Sequence, residues 1–258
     1  MSAISAKQKI ILPLIIPVIL LVAWEWSVRS GLLPNTLIAS PSQVVRDFFQ
    51  LAVSGKLLVH SLVSLYRLIL GFTIGTLIGL TLGVMVGTSK FAERLFAPTI
   101  QFLAPIPPIA WIPLLIILLG IGEASKIGLI IIASFVVVYL NTVQGIRSTD
   151  QKLVDVAHVL RKSNKELIKK VLLPSATPHI FTGMRIALGL SWILLIAAEV
   201  IASSKGLGWL IWDSRNFSRP DDLFVGIIMI GILGKLSDMV LVAFEKQLTH
   251  WRTVFQGK

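Results

Sequence analysis

Five charged residues stand in or beside long apolar runs: Arg67, Arg185, Glu199, Lys235 and Asp238. A charge at the centre of a membrane helix costs roughly 2.5–3.5 kcal/mol on insertion scales, so each needs a partner, water or a passing ion. Lys235 and Asp238 are three apart, hence neighbours on one helix face. At ~1.5 Å per residue, Lys235 lies ~18 Å into the last apolar run, near mid-bilayer. Two readings stand for this pair: mutual neutralisation, or an element of a pathway or gate. Arg185 and Glu199 are too far apart to pair on one helix. Glu199 falls toward the outer end of its run and Arg185 toward the inner end. Arg185 has no acidic residue within a turn of its own helix. It either bonds to carbonyls and snorkels, or keeps the inner end of a pathway electropositive. Trp111 and Trp192 either line a cavity or sit at an interface. Trp209 and Trp212, in a Gly-rich stretch, suit an outer re-entrant or lid segment.

Other chemistry is poorly supplied. The four histidines, His60, His158, His179 and His250, have no metal-ligand spacing. There is no cysteine, which removes disulfides and thiol nucleophiles. Clustered His or carboxylates, which a membrane-bound enzyme would need, are missing. No catalytic residue and no metal site is therefore expected. Gly55-Lys56 and Gly234-Lys235 are each followed by leucine, so no phosphate-binding loop of the Gly-x-x-x-x-Gly-Lys-Ser/Thr type exists. Any ATP-driven work must draw its energy from a partner, and the chain itself holds no cofactor.

The elements that position these residues are long apolar helices. The 258 residues are 55% hydrophobic with only 14% charged, and mean hydropathy is +0.84. Too little polar surface is present to cover a soluble core. The sequence predicts an all-α membrane protein forming one domain over 1–258. Six spans are expected, at about 10–28, 61–87, 98–119, 126–146, 178–201 and 223–244. The first is read as a retained span, because Trp24, Glu25 and Trp26 occupy the place of a cleavage site. Glycines at 71, 75, 79, 83 and 87 make a smooth stripe for close helix packing. Five prolines between Pro98 and Pro113, including Pro107 and Pro108, forbid one regular helix there. Irregular backbone at membrane depth survives only when buried in protein or lining a wet cavity, so this segment either walls a pathway or packs as a kinked helix. Ser40 or Ser42 caps a short helix through about Val53.

The net charge of +11 would suggest nucleic acid in a soluble protein. Here it follows from basic loops, and no basic stripe stands on a soluble domain. With the N-terminus inside, the inner segments hold 14 Lys and Arg against seven on the other side. Both termini are therefore expected in the cytoplasm.

The longest polar stretch, 147–174, reads as two short amphipathic helices on the cytoplasmic side. The first follows Ser148-Thr149-Asp150 and carries Leu153, Val154, Ala157 and Leu160 on one face. The second opens with the capping box Ser163-Asn164-Lys165-Glu166, presents Leu167, Ile168, Val171 and Leu172, and should end at Pro174. Such a pair either docks another protein or lies flat on lipid headgroups.

Asp155-Val156-Ala157, then Arg161, then Val171-Leu172-Leu173-Pro174 resembles the EAA loop of binding-protein-dependent ABC transporter permeases. That pattern is Glu-Ala-Ala, three residues, Gly, nine residues, Ile-x-Leu-Pro. The spacing is kept; Asp155, Val156, Val171 and Arg161 replace Glu, Ala, Ile and Gly. Pro105 through Pro113, Gly120-Ile-Gly-Glu-Ala-Ser-Lys126, Gly183 through Gly189 with Ser191-Trp192, and Gly234-Lys-Leu-Ser-Asp238 are similar to the sulfonate, taurine and nitrate branch. The resemblance implies a type I importer fold working as a homodimer in the bacterial inner membrane. It further implies two cytoplasmic ATPase subunits carrying ATP and Mg, and an external solute-binding protein. The solute would be a small anion, an aliphatic sulfonate or taurine first and nitrate or bicarbonate second. In that family the loop, here Asp155, Val156, Ala157, Leu160, Arg161, Leu167 and Pro174, enters a groove on the ATPase. A secondary transporter is the rival, but it would need internal repeats or an ion relay, and neither is visible.

Overall fold

Glycine decides how the central helices meet. In the computed structural model, which describes residues 6–249 with side chains from residue 12, α3 (Lys56–Thr88) lies along α6 (Glu123–Arg147). A Cβ at Gly75 would lie 2.6 Å from the Ile131 carbonyl, and one at Gly83 2.6 Å from the Thr142 Cβ. The stripe expected from the sequence thus faces α6 along its length. On the other flank of α6 runs α9 (Leu173–Ala202), where a Cβ at Gly183 would lie 2.5 Å from the Asn141 Cβ. Ser134 and Ser191 share a hydrogen bond of 3.0 Å across that contact. Gly75→Leu is expected to push α3 off α6 and cost about 1–3 kcal/mol or more, since overpacking forces backbone shifts. Gly128→Ala, whose Cβ meets only the movable Leu119 and Leu115 side chains, should be tolerated. The check is the yield of monodisperse protein in detergent for each variant.

The other elements dress this three-helix centre. In chain order they are α1 (Ala6–Arg29), α2 (Pro41–Val53), α4 (Lys90–Leu103), α5 (Ile112–Leu119), α7 (Gln151–Val159), α8 (Asn164–Leu167), α10 (Leu207–Asn216) and α11 (Pro220–Leu248). Of the two serines expected as caps, Ser40 caps α2, in a complete capping box with Gln43. Pro13 and Pro17 both lie inside α1. The core joins Leu68, Ile130, Trp192, Leu195, Leu207 and Val225, drawn from five helices.

Among the described residues five helices are long and apolar enough to cross a membrane, and a bent pair makes six if it forms a single broken span. That pair is α4 and the segment Pro108–Leu119, inclined at 89°. The expected third span began at 98, but the helix begins at Lys90, where Ser89 accepts from the Ala92 amide. Lys90 and Arg94, expected in a loop, are therefore helical, and Pro98 sits inside α4. The chain turns after Leu103 and passes through a 3₁₀ turn at Pro108–Trp111, with the remaining prolines at the break or at the start of α5. Prolines are tolerated at those positions because the first amides of a helix have no intrahelical acceptor.

The second loop helix does not stop at Pro174. Residues Ile168–Leu172 form a π-helical turn that runs straight into α9, and the Leu173 amide reaches back to the Ile168 carbonyl. A wider turn admits a ring that would clash in a regular helix.

Candidate functional site

Three groups of polar residues stand out, one at the loop end of the bundle, one midway and one at the opposite end. At the loop end, Asp150 caps α7 by accepting from the Lys152 amide at 2.9 Å, and Ser163 caps α8 with Glu166. Between α7 and the π turn lies a cavity of about 370 Å³, lined among others by Val156, Ala157, Leu160, Leu167 and Pro174. Ala157 is buried at 4%, whereas Val156 and Leu160 stay exposed. The apolar face is thus only half covered within one chain. Asp155 is exposed and accepts a hydrogen bond from the Gln151 amide group at 3.0 Å.

Arg161 takes a left-handed backbone with φ of 51°. Its amide donates to the His158 carbonyl at 2.9 Å and the Lys162 amide to the Ala157 carbonyl at 3.0 Å. This is the helix-ending motif that favours glycine at its left-handed position. An arginine thus occupies the left-handed position that this helix ending favours for glycine. Arg161→Gly is expected to stabilise the turn by about 1 kcal/mol, because an L side chain is strained there. Slower amide exchange at Lys162 would show it; unchanged or faster exchange would contradict it.

Midway along the bundle, Arg185 on α9 grips Asp238 on α11. Its Nε lies 2.8 Å from Oδ1 and its Nη2 3.3 Å from Oδ2. Lys235 approaches the same carboxylate only to 3.8 Å. The structure adds what the spacing within one helix does not reveal. Arg185 has its acidic partner on another helix, and Lys235 and Asp238 do not neutralise each other exclusively. Trp192 is buried, and its indole donates to the Ser237 hydroxyl at 3.1 Å, so it neither lines an interface nor opens into this face. In the bent segment Trp111 is half-buried against the cluster around Ile112 and Leu115; Pro108 is half-buried and Pro107 exposed.

At the opposite end a buried ion network ties four elements. Arg67 on α3, 2% exposed, meets Glu123 of α6 through Nε and Nη2, both at 2.6 Å. Its Nη1 donates to Glu199 Oε1 and to the Lys205 carbonyl, both at 2.8 Å. Glu199 on α9, 1% exposed, also accepts from Ser64 at 2.8 Å and from the Gly208 amide at 2.8 Å. The structure thus places Glu199 inside the bundle wall. Gly206, with φ of 121°, packs directly on that carboxylate and leaves no room for a side chain. Its amide donates to His60 Nδ1 at 3.1 Å, and the His60 ring stacks on Trp209 with centroids 5.3 Å apart. The Gly-rich stretch with Trp209 and Trp212 is the short helix α10, docked on α9 and α11 by these bonds and by Gly208 and Gly226. Nearby on α2, burial and then the like charge of Asp221 push the Asp47 carboxyl above the ordinary range. The sequence marks Arg67 as a costly charge but gives no sign of its partners, which are far away along the chain.

Among the described residues no group of three or more His, Cys, Asp or Glu is placed to hold a metal ion. Long apolar helices with outward-facing Leu, Ile and Val, and charges gathered into pairs, define a multi-pass membrane protein. Residues 75–250 match the profile of the family described as the binding-protein-dependent transport system inner membrane component, and the chain belongs to that family of transport permeases. It is 39% identical to a Bacillus subtilis (strain 168) chain named as an aliphatic sulfonates transport permease protein, SsuC, over 95% of this chain and 88% of that one. It is 34% identical to the Escherichia coli (strain K12) taurine transport system permease protein TauC, over 90% and 86%. Identity to the Synechocystis nitrate import permease protein NrtB is 33%, over 93% and 89%. The fold resembles a chain of the inward-facing MetNI methionine ABC transporter, with a TM-score of 0.62 and 17% identity over 72% of this chain and 93% of that one. The expected type I permease fold and the sulfonate, taurine and nitrate branch are thereby borne out.

Proposed function

We propose that this chain is the permease subunit of an ATP-driven importer for a small anion, with an aliphatic sulfonate as its solute. The observation that supports it most is the capped two-helix element over 147–174, with EAA spacing and an apolar face left half open in one chain. In this reading Val156, Leu160 and Leu167 meet a cytoplasmic ATPase subunit, Ala157 seats α7 on the π turn beneath them, and Asp155, Arg161 and Pro174 shape the element. Two copies of the chain enclose the pathway. Its walls include the bent segment with Pro107, Pro108 and Trp111, and an external binding protein delivers the solute. Both termini lie on the ATPase side, where the basic residues gather; that reading rests partly on Lys7, Lys9, Arg252 and Lys258, whose side chains lie outside the described residues. ATP and Mg belong to the ATPase partner. The names of the relatives favour a sulfonate, with nitrate as the second reading, since both are small monoanions.

The test is uptake by cells lacking their own carriers and expressing the chain with its ATPase and binding protein. Labelled ethanesulfonate, taurine and nitrate are supplied in turn. Uptake of ethanesulfonate or taurine, suppressed by excess of the other sulfonate and not by nitrate, is the expected result. Uptake of nitrate alone would overturn the sulfonate assignment.

A further inference from the structure

Lys235 sits near the midpoint of α11, about 20 Å from either end at ~1.5 Å per residue. Its side chain is 71% exposed, and Arg185 beside it is 46% exposed. Charges at that depth do not face lipid; they face a partner helix or water. The two basic groups share a single carboxylate, Asp238. Arg185 holds it with two hydrogen bonds, and Lys235 is left with a contact of 3.8 Å. Among these three groups one positive charge is in surplus, and the ammonium of Lys235 presents it; Glu245, whose charge also reaches Arg185, lies two turns beyond Asp238 on α11. Gly189, one turn beyond Arg185 on α9, and Gly231, one turn from Lys235 on α11, have nothing within 4 Å of where a Cβ would stand. Gly231 stands on the same face of α11 one turn from Lys235, so open space adjoins that residue.

We propose that Lys235 is the cation met by the transported monoanion at the middle of the pathway, with Arg185–Asp238 as a neutral support that keeps the ammonium free. This rests on the reading of the chain as an anion permease. The surplus cation replaces part of the water that a sulfonate sheds on leaving the aqueous phase, and one contact of this kind stays weak enough for release. It also assigns to Arg185 the task of occupying Asp238 rather than touching solute.

The chain has no cysteine, so Lys235→Cys introduces a single thiol. The assembled transporter, with ATPase and binding protein, is treated with two water-soluble methanethiosulfonates, one carrying an ammonium and one a sulfonate. Both are expected to label the introduced thiol. The unlabelled variant should take up ethanesulfonate at least tenfold more slowly than the parent. The ammonium adduct should recover at least half of the parent rate and the sulfonate adduct should recover none, while Lys235→Arg remains active. Failure of both reagents to label means that the face is closed against the second copy or lipid, and overturns the proposal. So does labelling with uptake that ignores the charge of the adduct. No uptake of ethanesulfonate, taurine or nitrate by the parent complex overturns the functional reading instead.

Discussion

Arg67→Ala is expected to deprive the membrane of folded protein. The guanidinium is 2% exposed and is spent on Glu123, Glu199 and the Lys205 carbonyl. Removing it leaves the Glu199 carboxylate buried with Ser64 and the Gly208 amide as its remaining partners. Breaking a buried ion pair by deleting one member typically costs about 3–5 kcal/mol, because a charge stays behind without its counter-ion. The loss would also release α10, whose leading amides bond to Ser64 and Glu199. Glu199→Gln should be milder: an amide keeps the size and can still accept from the Gly208 amide. Monodisperse yield and thermal midpoint in detergent check both variants. A parental yield for Arg67→Ala would mean that the network is not needed for folding.

Ala157→Arg is expected to abolish coupling. Ala157 is the one residue of α7 that is fully buried, where α7 closes on the π turn. A long cation there would lift α7 from the π turn and distort the apolar face proposed to meet the ATPase. Insertion should persist, because the apolar spans are untouched. Uptake should fall at least tenfold, and the ATPase should no longer co-purify at the parental ratio. A variant that assembles with the ATPase and transports normally would remove the docking role from this element.

How much of this was legible in the sequence differs by kind of interaction. Helix starts were readable because Ser40, Asp150 and Ser163 cap through their own neighbours in sequence. The glycine stripe was readable because a spacing of four is a property of one helix. What was missed lies between helices. Arg185 showed no acidic partner on its own helix because Asp238 sits on α11, and the partner of Glu199 was hidden because Arg67 sits on α3. Pro174 looked like a stop because the rule for proline assumes a regular turn, and a π turn evades it. A break between Leu103 and Pro108 follows from where the prolines fall, but its angle of 89° and the packing of α5 on α6 and α9 are tertiary and not written in the local sequence. Of the candidate pathway residues, Arg185, Lys235 and Asp238 come together in one cluster, Trp192 is buried beside it against Ser237, and Trp111 and Glu199 lie elsewhere.

The most direct test of the central claim is accumulation of labelled ethanesulfonate by vesicles holding the purified chain. The ATPase subunit and ATP are enclosed, and the binding protein is outside. Accumulation above the external concentration is expected only when ATP, the ATPase and the binding protein are all present. Accumulation by the chain alone, driven by an ion gradient, would contradict the account and make the protein a secondary transporter.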